Sequence, residues 1–172
     1  MCILTSKEIR ERIKNFTPPL IENYIDLDKQ LQPAGFDMTL GKISIFLSDG
    51  AIDFTNLNRR LASTKEIEFD QCIKLKEGVY LVEVNEIVNI HRDLIAIAKP
   101  RSTLLRIGAT ISTAIWDPGY RGRSKLILRI LNPHGIYLYK NARIMQMIFL
   151  KLCKPALKIY KGIYQDEGIG IA

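Results

Sequence analysis

A mainly β chain, folded as a sandwich or barrel-like sheet with one short N-terminal helix, is the architecture this sequence predicts. Three observations carry that prediction. Apolar residues recur at helical spacing only near the start, the rest of the chain divides into short segments with strand-type alternation, and clusters of Gly, Pro, Asn and Asp separate those segments. Many short strands with frequent turns and a single terminal helix close as a sandwich or barrel.

The elements follow in order. Thr5 and Glu8 have the spacing of a capping box, and Ile9, Ile13 and Phe16 then recur on one helical face, which predicts a helix over 6–16. Pro18 and Pro19 end it. Strand-type segments follow at 36–47, 66–73, 78–88, 94–98, 125–131, 136–138 and 143–152. Within 78–88, Val79 and Leu81 fall on one face while Tyr80 and Val82 fall on the other. Turn signals stand between the segments at Ser48-Asp49-Gly50, Glu77-Gly78, Asp117-Pro118-Gly119, Asn132-Pro133-His134-Gly135 and Lys140-Asn141. Residues 56–64 have no period and read as an exposed loop. Residues 160–172 are glycine-rich and strand-poor, so a mobile tail is expected there, able to close as a lid.

Length and composition narrow the function. A chain of 172 residues is one domain, 1–172, with its β core over 33–152. No apolar run approaches the ~18 residues of a membrane span, and the first residues lack an apolar stretch followed by a small-residue cleavage site. A cytoplasmic protein without a membrane partner is expected. The three cysteines are widely spaced and never form Cys-x-x-Cys, which argues against a disulfide framework and a cysteine zinc site. No His-x-Glu precedes a Pro-Cys-x-x-Cys, so the zinc-dependent nucleobase deaminases are excluded. A net charge of +7 attracts anions, yet the basic residues are dispersed and aromatics do not interleave with them. No nucleic-acid partner is expected.

The densest chemistry lies in residues 99–122, KPRSTLLRIGATISTAIWDPGYRG. Arg101 offers a planar fork of donors suited to phosphate oxygens, and Arg106 adds a second permanent charge. Asp117 is the only acid between Asp93 and Asp166, so a general base in this region falls to it by elimination. Asp-Pro-Gly-Tyr-Arg-Gly is turn chemistry, which puts Asp117 at the mouth of a β-turn. Two readings of the cluster stand at this point: a phosphate site with one base, or an exposed ion-pair network without a ligand.

Four separated segments resemble the deoxyuridine triphosphatase and deoxycytidine triphosphate deaminase superfamily. They are PAGFDMTLG at 33–41, PRSTLLRIG at 100–108, WDPGYRG at 116–122 and YKNARIMQMIF at 139–149. Their order and spacing match that family, and one such segment alone would be weak evidence. The resemblance implies a distorted jelly roll, a homotrimer and active sites built where subunits meet.

It also implies two sibling chemistries. In the deaminase branch a glutamate ten residues beyond the Asp-Pro-Gly aspartate moves protons at the cytosine ring. Ile127 stands there, and the strand SKLILRIL at 124–131 holds no acid. An arginine found in some deaminases just before the Trp/Ile-Asp pair is replaced by Ile115. The triphosphatase branch is therefore expected: dUTP hydrolysed to dUMP and pyrophosphate, with Asp117 activating water and Mg²⁺ on the triphosphate. The alternatives are a dCTP deaminase, including a bifunctional one, and a non-catalytic deoxynucleotide-binding protein of the same fold. By the same resemblance, Arg101, Ser102 and Gln146 hold the phosphates, Tyr120 packs on the deoxyribose, Asp37 contacts the metal, and backbone groups of a 107–116 hairpin read uracil. Arg106 is a candidate for either substrate contact or a structural ion pair. Asp37 is also a candidate turn cap, Tyr120 a packed aromatic, and Gln146 a solvent-facing strand residue. The tail, with Tyr164-Gln165-Asp166-Glu167-Gly168, looks closer to the Tyr-Gln-x-x-Gly ending of deaminase-like archaeal members. Lys161, Tyr164 and Gln165 are its candidate substrate contacts.

Overall fold

The computed structural model describes residues 2–170; residues 171 and 172, the end of the expected tail, lie outside the described residues. The expected helix forms as α1 (Ser6–Asn15). The Thr5 hydroxyl accepts the Glu8 N–H while the Glu8 carboxylate accepts the Thr5 N–H at 2.8 Å, so the capping box is complete. The helix buries Ile9 and Ile13, and Arg12 grips both oxygens of Asp93 at 2.9 and 2.6 Å.

The sheet runs in the spatial order β1 (Cys2–Ile3), β12 (Arg143–Lys151), β4 (Gly35–Phe46), β7 (Gly78–Asn89), β10 (Arg121–Ile130), β9 (Ala109–Ser112). β2 (Ile21–Glu22) joins β7, β3 (Leu31–Gln32) and β5 (Thr64–Glu66) join β4, and β8 (Leu94–Pro100) joins β12. β6 (Cys72–Leu75) and β11 (Ile136–Tyr139) form a separate ribbon. The sheet curls into the expected mainly β, jelly-roll-like half-barrel. Phe36, Met38 and Leu40 of β4, Val82 of β7, Leu128 of β10 and Phe149 of β12 fill its interior. Burying each such side chain contributes about 1.5–3 kcal/mol. β10 keeps strict alternation, with its even-numbered residues buried, as a strand with one wet face requires. No helix among the described residues is long and apolar enough to cross a membrane.

Three departures from the expected elements matter for the site. The 66–73 strand is two strands, because the chain leaves the main sheet after β5 and enters the ribbon at β6, so no single ladder runs through it. Residues 107–116 do not fold back on themselves. β9 pairs with β10, and Trp116 instead bridges to Ala96 of β8. Two short helices, α2 (Leu27–Gln30) and α3 (Ser102–Arg106), have too few residues to show a helical period in the sequence.

Candidate active site

The residues singled out by sequence gather in two places. The first lies where β4, β12 and β8 run side by side. Register sets Gln146 opposite Asp37 on one side and opposite Lys99 on the other, and Arg101 follows as the chain leaves β8 to start α3. Asp37 is 1% exposed. Its carboxylate pairs with Arg101 and, at 3.2 Å, with Arg143, which also donates to the Lys29 carbonyl at 2.6 Å. Burial, and then the neighbouring Arg143, push the Arg101 guanidinium down from its ordinary range. It still remains a cation, because a guanidinium does not lose its proton in a protein. Gln146 is half-buried beside Gly35, where a Cβ would stand 3.0 Å from the Gln146 Nε2. Ser102 and Arg106, at the two ends of α3, are exposed.

A buried polar belt backs this cluster. Glu86 is fully buried and accepts from the Thr39 N–H at 2.9 Å, the Thr39 hydroxyl at 2.6 Å and the Gln30 amide at 2.7 Å. The same Gln30 amide donates to the Asp37 carbonyl at 2.9 Å. Desolvation raises the Glu86 carboxyl above its ordinary value, against the pull of those three bonds.

Asp37 does not fit the metal contact expected of it. Its Oδ2 is shared by two guanidinium groups, and a divalent cation brought beside them would be repelled. Among the described residues no three acidic, His or Cys side chains cluster as a metal site either. Asp37 is an anchor for arginines.

The second place is a cleft of about 820 Å³ lined by Trp116, Asp117, Tyr120, Lys125, Tyr164 and Glu167, with an apolar wall that includes Phe46, Leu61 and Ile115. The expected turn forms: the Tyr120 N–H donates to the Asp117 carbonyl at 3.1 Å, and Gly119 takes a φ of +86°, which favours glycine. Asp117 is exposed at the lip of the cleft. The Trp116 indole N–H is held by Ser124 Oγ at 2.6 Å, which fixes the residue before it. Thr113, Ala114 and Ile115, between β9 and that turn, make no hydrogen bond through their backbone groups among the described residues. Those peptide groups are free to read a ligand edge.

The tail is docked here. Tyr160 N–H donates to the Pro118 carbonyl at 2.7 Å, Asp166 N–H to the Arg121 carbonyl at 2.8 Å, and Arg123 N–H to the Glu167 carbonyl at 2.8 Å. Four or more backbone and side-chain bonds hold a segment for which the sequence shows no strand period. Gln165 spends its side chain on the turn, donating to the Gly119 carbonyl at 3.1 Å and accepting from the Arg121 N–H. Tyr164 lines the cleft, while Lys161 is exposed with no side-chain bond among the described residues. Tyr120 is 7% exposed, crossed edge-on by Tyr160 at 5.6 Å, and burial pushes its phenol up.

The two places do not meet within the chain. Trp116 bridges to Ala96, so Asp117 falls opposite Ile95, six residues before Arg101 along β8. That is ~20 Å of extended backbone. Sequence reading also missed Arg143, Tyr160 and Glu167 as site residues. Arg143 lies inside the matched 139–149 segment, which was the one available signal for it.

The family described as dCTP deaminase-like matches residues 3–152. Two archaeal proteins are similar over nearly their whole length. One, from Methanosarcina mazei, is 50% identical over 169 residues, 97% of this chain and 98% of its own; another, from Methanococcoides burtonii, is 52% identical over 171 residues, 98% of this chain and all of its own. Both carry the name "Probable deoxyuridine 5'-triphosphate nucleotidohydrolase". Among solved structures, the 2'-deoxycytidine 5'-triphosphate deaminase from Agrobacterium tumefaciens matches with a TM-score of 0.60 and 27% identity. The match covers 86% of this chain and 47% of that one, so this chain spans about half of its length.

Proposed function

The chain belongs to the dCTP deaminase-like family, and within it we propose that this protein hydrolyses dUTP to dUMP and pyrophosphate. The observation that carries the choice is β10. That strand begins four residues after Asp117 and holds no acid, with Ile127 where a deaminase needs a proton-shuttling carboxylate. One exposed carboxylate suffices to activate water at phosphorus, whereas the carboxylate that shuttles protons in a deaminase has no counterpart on this strand. The names of the two archaeal relatives support the same reading.

In the proposed reaction a water held by the Asp117 carboxylate attacks the α-phosphorus and passes its proton to that carboxylate. The bond from that phosphorus to the oxygen bridging the β-phosphate breaks, and pyrophosphate leaves with the electron pair. Arg101, Ser102 and Gln146 hold phosphate oxygens, with Arg106 close by on α3. Positioning and charge stabilisation supply most of the rate in such a step. Tyr120 forms the deoxyribose wall, the free peptide groups of 113–115 read the base, and Lys161, Tyr164 and Gln165 belong to the closing tail. Mg²⁺ enters this proposal as an ion carried on the triphosphate, and no residue of the chain is assigned to it.

The placement of Asp117 and Arg101 in two separate clusters favours a site completed by a second copy, in the homotrimer that the family resemblance implies. Arg101 of one copy then serves the Asp117 of its neighbour.

Incubation with dUTP and dCTP separately, with assays for pyrophosphate and ammonia, tests the proposal. Pyrophosphate from dUTP without ammonia from dCTP is expected; ammonia overturns the choice of branch, and no product from either substrate leaves a nucleotide-binding protein. Asp117→Asn should lower the turnover of dUTP by about 10²–10⁴-fold while triphosphate binding persists.

A further inference from the structure

Glu167 belongs to the tail, and no motif of the sequence singles it out. Its carboxylate nevertheless accepts the Tyr120 hydroxyl at 3.0 Å inside the cleft that Asp117 borders. We infer that Glu167 is a positioning residue that holds the Tyr120 ring in place as the wall against the sugar, and so sets the preference for a 2'-deoxyribose over a ribose. This rests on the reading of Tyr120 as the sugar wall.

The placement of Glu167 is built by backbone. The residue bridges to Gly122 in parallel fashion, its carbonyl accepts the Arg123 N–H at 2.8 Å, and the residue before it is tied to Arg121. Immediately after it, Gly168 adopts φ +67°, and a Cβ there would sit 2.7 Å from the Arg123 Cβ and 3.1 Å from Glu83 Oε2. The tail is thus pressed onto β10 on both sides of Glu167, and from there the carboxylate reaches the Tyr120 hydroxyl. The Tyr120 ring receives Tyr160 edge-on from the same tail. Ring and hydroxyl are therefore both held by residues 160–167, and undocking the tail leaves Tyr120 with neither contact. Discrimination against a ribose needs a wall that does not yield to a hydroxyl. A phenol fixed at its far end is stiff, whereas a phenol free at its far end can tilt away.

The alternative role for this bond is only to fasten the tail, and the experiment separates the two. In the full chain, kcat and KM for dUTP and for UTP are measured for Glu167→Ala, Glu167→Gln, Tyr120→Phe and the Tyr120→Phe/Glu167→Ala double variant. The preference for dUTP should fall at least about tenfold in Glu167→Ala, the loss of one hydrogen bond to a charged acceptor. Glu167→Gln should restore most of it, since an amide oxygen also accepts a phenol O–H. The double variant should be no worse than Tyr120→Phe alone. An unchanged preference with KM raised equally for both nucleotides, or additive losses in the double variant, overturns the inference. Should the unsubstituted protein hydrolyse neither nucleotide, the functional reading fails separately. Calorimetric binding of dUTP and of UTP to the same variants then decides: a preference for dUTP that falls in Glu167→Ala and returns in Glu167→Gln supports the inference, and a preference that does not move overturns it.

Discussion

Asp37 and Asp117, the two carboxylates that the sequence brings forward, stand in opposite surroundings. Asp37 is sealed in the interior of the sheet, its strand hydrogen-bonded on both sides, its Oδ2 shared by Arg101 and Arg143. Asp117 is exposed on a turn that the chain's own tail must brace. The contrast separates two uses of the same functional group. A buried carboxylate shared by two arginines is committed to holding them, and their positive charge opposes a metal ion beside it. An exposed carboxylate at the lip of a cleft carries no such commitment, and the turn and tail around it supply the order. The arginine side, around Asp37, is thus fixed by folding, and the cleft side, around Asp117, is assembled by docking.

The largest expected effect breaks the contrast at Asp37. Asp37→Ala leaves Arg101 and Arg143 facing each other without their counter-charge, and removing one partner of a buried pair costs about 3–5 kcal/mol. The low end, about 3 kcal/mol, is expected because both arginines keep part of their surface in water. Urea unfolding at one fixed protein concentration measures it, with and without magnesium. A metal ligand would give the other result: little loss of stability in the apo protein and a large loss of magnesium dependence in the nucleotide reaction.

How much of this was legible depends on the length of the pattern. α1 could be read from a capping box and three apolar positions, and β4, β7, β10 and β12 could be read within a few residues because each runs long enough to display its period. α2 and α3 have four and five residues, barely one turn, and no period exists at that length. β9 was hidden for a different reason: Ala109–Ser112 is a plausible arm of a hairpin, and only tertiary pairing with β10 assigns it elsewhere. At the site, Arg101, Ser102, Asp117 and Tyr120 were legible as residue types in a pattern. That Asp37 would be consumed by Arg101 and Arg143 was not, since the three lie far apart in sequence and meet only through the β4–β12–β8 register. Tail docking rests on backbone bonds and a glutamate that side-chain patterns do not announce.

A smaller effect tests the docked side. Gly168→Ala forces a Cβ into a left-handed backbone position and against Arg123, costing about 1–2 kcal/mol of docking. Because so few apolar contacts hold residues 160–170, that is enough to release the tail while the sheet stays folded. Amide exchange at Arg123, whose N–H is bonded to the Glu167 carbonyl, should quicken by about tenfold. Exchange at β4 and β7 amides should not change; if those amides quicken equally, the tail is part of the global unit and the two sides are not built differently.

The smallest expected effect is in pH, and it distinguishes the sides by what each carboxyl controls. Glu86 and Glu167 are both raised above the ordinary glutamate value of 4.5, each first by burial. For an acid raised on folding or docking, the native form binds the proton more tightly than the open form. Its stabilising contribution is therefore fully present below 4.5 and is lost as pH rises through the raised value. On the arginine side this acts through Glu86 on the whole fold, since its partners Thr39 and Gln30 belong to β4 and to the segment packed on it. On the cleft side it acts through Glu167 on docking alone. Arg123 amide protection, corrected for the intrinsic pH dependence of exchange, should decline within about tenfold across that window, and Glu167→Gln should flatten the decline while the pH dependence of the thermal midpoint persists. Asp93 gives the opposite sign as an internal control. The Arg12 bonds hold it below the ordinary 3.8, so its contribution is present above that value and disappears as pH falls through its lowered one. If Glu167→Gln altered the thermal midpoint's pH profile as much as the Arg123 exchange, docking and folding would be one equilibrium, and the cleft side would be as fixed as the arginine side.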